Sequence, residues 1–150
     1  MIDPEPIFRI HAQLADILSL GPTPYGERRI INILGGEVEG RRLKGRILPG
    51  GADWQIIRSD GAADIEARYT IEAEGGAAIL VESKGLRHGP AEVMARLARG
   101  EAVDGDAYYF RTVMRFETSS AELGWLNRIL ALARGTREPN AVRLDVYEIR

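Results

Sequence analysis

The stretch Asp64-Ile65-Glu66-Ala67-Arg68-Tyr69-Thr70-Ile71-Glu72-Ala73, followed by Glu74-Gly75-Gly76 and then by Ala77-Ala78-Ile79-Leu80-Val81-Glu82-Ser83, decides the fold. Its first arm alternates strictly. Ile65, Ala67, Tyr69 and Ile71 fall on one face; Asp64, Glu66, Arg68, Thr70 and Glu72 fall on the other. Side chains of a strand point to opposite faces in turn, so a period of two over this length marks a half-buried β-strand. The glycine pair turns the chain and Ala77–Ser83 returns, which makes a hairpin.

Upstream of this hairpin, Ile7–Leu18 mixes alternation with an apolar end, and Gly21-Pro22-Thr23-Pro24-Tyr25-Gly26 predicts a loop. Arg29–Val38 is a β-branched run broken by Gly35-Gly36, a pattern that suggests a bulge or a bend at a barrel corner. Lys44–Leu48 reads as a short strand stopped by Pro49-Gly50-Gly51, and Asp53–Arg58 as another, ended by Asp60-Gly61. Downstream, Pro90 and Gly100 bracket one short helix carrying Val93, Met94 and Leu97. Tyr108–Thr118 is a long strand, Ser119–Asn127 a loop or single helical turn capped by Ser119 or Ser120, and Ala141–Ile149 a last strand with Val142, Leu144 and Val146 on one face. Arg128–Arg134 permits helix but lies between strands. Eight or nine strands joined by glycine turns favour a sandwich or a closed antiparallel barrel, and we expect the barrel, as a single domain over residues 1–150.

Composition excludes several classes of function. The 150 residues include 17 glycines, as many turns require, and no cysteine, which removes disulfides, thiolate catalysis and cysteine metal sites. His11 and His88 are too few for a three-histidine metal centre, and no metal or cofactor is expected. The net charge of −2 lacks the positive field of a non-specific nucleic-acid binder. No apolar run approaches the ~18 residues of a membrane span, and no leader pattern opens the sequence, so a cytoplasmic protein is expected. Phosphate-loop, dinucleotide and nucleophile-elbow signatures are absent.

Several polar and aromatic residues stand out. Asp53 and Trp54 follow a glycine pair that can set them at a barrel mouth, where an indole wall would raise a neighbouring acid's pKa; the alternative is a tight corner with Trp54 in the core. Arg68 is either a solvated outer residue or, turned inward, an anion clamp; Tyr69 lies on the opposite face, and both faces cannot line one cavity. Tyr109 and Arg111 share a face with Val113, Arg115 and Glu117, while Tyr108, Phe110, Thr112, Met114 and Phe116 form the better core face. In a barrel with a polar pocket, Tyr109 becomes a proton donor and Arg111 an anion binder; in a filled barrel both lie outside. Trp125 caps a barrel end or covers a ligand. Asn127 and Arg137 complete the candidates, and His88 reads as an exposed turn residue.

Taken together, Gly45-Arg46-Ile47-Leu48-Pro49-Gly50-Gly51-Ala52-Asp53-Trp54, Arg58-Ser59-Asp60-Gly61 with Arg68-Tyr69, Gly85-Leu86-Arg87-His88-Gly89-Pro90, Tyr108-Tyr109-Phe110-Arg111-Thr112 and Trp125-Leu126-Asn127 resemble the DUF3237 (UPF0311) family over nearly the whole chain. The resemblance implies a compact β-barrel, lipocalin-like or cyclase-like by analogy, and supplies no reaction.

Three functions remain open. A small-molecule-binding barrel would place Trp54, Tyr69 or Tyr109 in a cavity wall, with Arg68, Trp125 and Asn127 as further ligand contacts. A cofactor-independent isomerase, cyclase or lyase on an oxygenated or phenolic substrate would use Asp53 as acid or base, Tyr109 as second proton donor, and Arg68 or Arg111 to stabilise negative charge. It requires these groups to converge in one cavity. A structural module would fill its barrel and pair charged faces across a homodimer. The binding barrel is the expected reading, with the enzyme second.

Overall fold

The computed structural model describes residues 1–150. Ten antiparallel strands form one sheet that closes on itself. They are β1 (Phe8–Leu14), β2 (Leu18–Thr23), β3 (Gly26–Glu39), β4 (Gly45–Ile47), β5 (Gly51–Ile57), β6 (Ala63–Ala73), β7 (Ala78–His88), β8 (Tyr109–Glu117), β9 (Leu130–Glu138) and β10 (Ala141–Ile149). Closure comes from β1, which pairs with β10 on one side and with β3 on the other. The short strands β4 and β5 follow one another in the gap between β3 and β6. The expected barrel is the observed fold.

The 14-residue β3 serves two neighbours on each side, which needs a bend. Its first half pairs with β2 and β5 and its second with β1 and β4. Gln13 faces Gly35 whereas Leu14 faces Ile33, so Leu34 is an extra residue and the strand bulges. Gly36 sits at φ +146°, where a Cβ would fall on the His11 carbonyl oxygen and 2.9 Å from the Ala12 Cα. The glycine pair therefore marks the corner that the sequence suggested.

The loop expected at Gly21–Gly26 is shorter than its composition implies. β2 runs through Gly21 and Pro22 to Thr23, leaving only Pro24 and Tyr25 in the turn. Proline is tolerated because β2 pairs with β3 alone, so its other edge owes no hydrogen bond. Arg128–Arg134, open to a helical reading, is mostly β9, preceded by a 3₁₀ turn at Gly124–Arg128. Tertiary pairing with β8 and β10 overrides the helix propensity of Leu and Ala there.

The decisive hairpin packs as its period requires. Ala63, Ile65, Ala67, Tyr69, Ile71 and Ala73 are buried, and Asp64, Glu66 and Arg68 are exposed. One half of the barrel interior is solid. Phe8, Ile10, Val38, Ile71, Ile79, Val81, Met114, Phe116 and Val146 meet there, with Phe8 and Phe116 edge to face at 5.8 Å. Leu126, fully buried on the 3₁₀ turn, joins this cluster. The helix α1 (Ala91–Ala98) flanks the cleft at the other end, with none of its residues fully buried. Near that end the wall parts, because β10 begins at Ala141, opposite Gln13, while the chain beyond Leu14 leaves to form β2.

Candidate functional site

The half of the interior towards α1 is hollow, and the residue sizes along each strand explain it. On β7 the inward face runs Ile79, Val81, Ser83, Gly85, Arg87; on β9 it runs Ala131, Ala133, Gly135, Arg137. On β7 large side chains give way to small ones, on β9 the face is small throughout, and each face ends in a cation. The resulting cavity of about 50 Å³ is walled by Leu14, Ile31, Ile33, Ile65, Phe110 and Leu144, among others. It opens into a cleft of about 490 Å³ edged by Ala15–Ile17, Ile57, α1 and the Pro139-Asn140 turn.

Polar groups from three strands project into this hollow. Asp53 and Gln55 come from β5, Tyr69 from β6 and Thr112 from β8. Gln55 Nε2 donates to Asp53 Oδ2 at 2.7 Å. Asp53 Oδ1, Gln55 Oε1, the Tyr69 hydroxyl and Thr112 Oγ1 are buried and have no hydrogen-bond partner in the protein. Each such atom costs about 1–3 kcal/mol of lost hydration, and native interiors hold few of them. Four around one cavity form a polar surface that the chain itself does not satisfy.

Burial sets the electrostatics. Desolvation holds Asp53 above the ordinary carboxylate range, against the Gln55 hydrogen bond and the charges of Arg87 and Arg137. Tyr69 is also pushed up, by burial first and by the Asp53 charge second. Arg87 is lowered to about 10 by burial and by the like charge of Arg137, and Arg137 is lowered by burial. Both arginines stay cationic at neutral pH. A half-buried acid biased towards its protonated form, beside a phenol and two cations, can donate or accept a proton at a bound molecule. No group of three or more His, Asp or Glu side chains lies close enough to hold a metal ion.

The profile of the family described as protein of unknown function (DUF3237) matches residues 3–149. The chain belongs to the DUF3237 family. A UPF0311 protein of Bradyrhizobium diazoefficiens is 43% identical over 148 residues, which span 99% of this chain and 97% of the relative. The crystal structure of a conserved protein of unknown function from Rhodopseudomonas palustris superposes with a TM-score of 0.93 at 41% identity, covering 100% of this chain and 98% of the other. That of a β-barrel like protein from Acinetobacter baumannii gives 0.86 at 45% identity, covering 100% and 97%.

In this DUF3237 barrel, Asp53, Tyr69 and Arg137 are the three sequence-derived candidates that reach the hollow. The other candidates do not join them, and the pleat is the reason: once Asp53 and Tyr69 point inward, their neighbours Trp54 and Arg68 point outward. Trp54 is 39% exposed, and Arg68 donates to Glu82 at 3.2 Å on the outer surface. Tyr109 and Arg111 lie on the outer face of β8, because Phe110 and Thr112 take the inner one. Tyr109 stacks on His88 with centroids 5.0 Å apart, and Arg111 donates to the Phe110 carbonyl at 3.0 Å. Trp125 and Asn127 belong to the solid end. The Trp125 ring carries the Arg42 guanidinium at 3.7 Å, and Asn127 clamps the Thr118 backbone with bonds of 2.8 and 2.9 Å. The convergence of Asp53 with Trp54, Tyr109 and an arginine from Arg68 or Arg111 is therefore absent. The arginines of the DUF3237 hollow are Arg87 and Arg137, which with Gln55, Ser83 and Thr112 complete its polar lining.

Proposed function

We propose that the hollow half of the barrel binds a small oxygenated molecule, with its polar end against Asp53, Gln55, Tyr69 and Thr112 and its bulk in the cleft beside α1. The observation that carries this reading is the set of four buried polar atoms, from three strands, that face one cavity without a partner. Mouths of barrels are common ligand sites, with apolar walls and a few placed polar groups. The cavity takes only a few heavy atoms, since one water needs roughly 10–15 Å³ of such space. The larger part of a ligand thus has to occupy the cleft.

The test is a fragment titration followed by NMR, using small alcohols, ketones and phenols. Hits are expected to move the amides of Ala67, Ser83 and Thr112. A variant carrying both Gln55→Leu and Thr112→Val is expected to weaken them by about tenfold, the worth of one lost buried hydrogen bond. Hits that gather around Trp54, Tyr109 and Arg111, and ignore the double variant, overturn the reading.

A second reading is favoured by the Asp53 carboxyl, which burial keeps poised near a neutral phenol. It is a cofactor-independent acid–base enzyme in which Asp53 moves a proton on the bound molecule. Ketone fragments offer a direct check in deuterated water. Exchange of the hydrogens next to the carbonyl should be accelerated by the protein and lost in Asp53→Asn while binding persists. Equal exchange with both proteins removes the catalytic reading and leaves the binding one.

A further inference from the structure

The hollow and the cleft meet at Arg87 and Arg137, whose side chains line both. The remaining charged side chains of the cleft are engaged. Arg29 bonds Glu27 at 2.6 Å, Glu138 holds Arg143 and His11 at 3.0 Å each, and Asp16 accepts from Asn140 at 3.3 Å. Arg137 gives one hydrogen bond, from Nη1 to the Ala141 carbonyl at 3.0 Å. Arg87 gives none; its guanidinium stands over the Phe110 ring, 5.6 Å from the centroid. That ring lies against Gly135, where a Cβ would meet its carbons at 2.7 Å. The glycine thus seats the aromatic surface that backs Arg87.

Each guanidinium has five N–H donors, so nearly all the donor capacity at the neck is unused. The acid that reaches the hollow, Asp53, turns Oδ2 to Gln55 and bonds neither arginine. Two cations in a partly desolvated neck repel each other and have one acceptor between them, the Ala141 carbonyl, which is costly unless an anion enters. A planar guanidinium fork fits a carboxylate with two parallel hydrogen bonds.

We propose that Arg87 and Arg137 bind the carboxylate of a small organic acid at the neck of the barrel, with a hydroxyl or keto oxygen on the adjacent carbon facing the hollow and an apolar remainder along Ile57, Met94 and Leu97. The inner contact rests on the binding reading given above; the contact with the arginines does not. The cavity beyond the neck holds only a few heavy atoms, which suits an oxygen on the next carbon and no more.

The test uses the full chain, NMR of the arginine Nε–Hε and Gln55 side-chain amide signals, and three probes at equal ionic strength: pyruvate, its uncharged amide, and inorganic phosphate. Pyruvate is expected to shift the Arg87 and Arg137 signals saturably and to bind about tenfold or more tightly than the amide. Arg87→Gln and Arg137→Gln should each lose that preference. Should either fail to fold, the corresponding lysine variant should retain a weakened preference. Equal binding of pyruvate and the amide, with Gln55 moving, overturns the anion site and keeps the hollow as a ligand site. Arginine shifts without any movement of Gln55 support the anion contact and overturn the inner one. Stillness of all three signals overturns both. Tighter binding of phosphate than pyruvate at the same arginines overturns the assignment to a carboxylate.

Discussion

Asp53→Asn separates a carboxyl held for a ligand from one held for the fold. In the folded chain Oδ2 has a single donor at 2.7 Å, Oδ1 has none, and burial raises the pKa. A carboxyl with a raised folded pKa contributes full stability below its unfolded value, 3.8, where both states are protonated. As pH climbs past that value the unfolded chain releases the proton first, and stability falls until the folded pKa is reached. The slope in this window approaches 1.4 kcal/mol per pH unit, since one unit of pKa is about that much free energy. Asparagine keeps the shape and cannot ionise. The stability difference, variant minus wild type, should therefore grow with pH across the window and then level off, leaving the variant more stable at neutral pH. Urea denaturation of both proteins at fixed ionic strength, from about pH 4 to about pH 8, reads this difference directly. A difference that stays flat, or an asparagine variant that is weaker at the upper end, would refute the reasoning. It would mean that Arg87 and Arg137 hold Asp53 ionised.

Thr112→Val removes a buried hydroxyl that bonds nothing, so thermal or urea unfolding should show no loss, or a gain of about 1 kcal/mol; a clear loss would mean the hydroxyl serves the fold. Gly36→Ala drives a methyl into the β1 backbone and should cost about 2 kcal/mol or more, seen as a lowered urea midpoint. Arg68→Gln removes an exposed ion pair and should change stability by less than about 1 kcal/mol, leaving fragment binding in the hollow intact. Tyr109→Phe and Arg111→Gln, on the outer face of β8, should likewise leave those affinities unchanged in an NMR titration.

The alternation of Asp64–Ala73 and of Tyr108–Thr118 was enough to give both strands, because a two-sided sheet leaves its period in the sequence. Gly35-Gly36 disclosed the corner for the same reason: only a residue without a Cβ tolerates the approach of β1. Pro22 misled in the other direction, since proline is tolerated on an edge and the sequence does not say which strand is an edge. The site was legible only in part. Asp53 and Tyr69 stood out by type, yet which face of β8 pointed inward was undecidable from its chemistry, and Tyr109 and Arg111 looked more functional than Thr112. Of the cations that reach the hollow, Arg137 was named without a role and Arg87 left a quieter signal. Ser83, Gly85 and Arg87 continue the inward face of Ile79 and Val81, and Gly135 and Arg137 continue that of Ala131 and Ala133. A core face that shrinks from aliphatic to glycine and ends in arginine describes a barrel filled at one end and hollow at the other. Reading it requires knowing that the barrel closes.

The most direct measurement is a high-resolution crystal structure of the protein soaked in pyruvate, viewed at Asp53 Oδ1, Gln55 Oε1, the Tyr69 hydroxyl and Thr112 Oγ1. We expect ordered density in the hollow within hydrogen-bond distance of at least three of these four atoms. A dry hollow, closed by side chains that give those atoms partners within the protein, would contradict it.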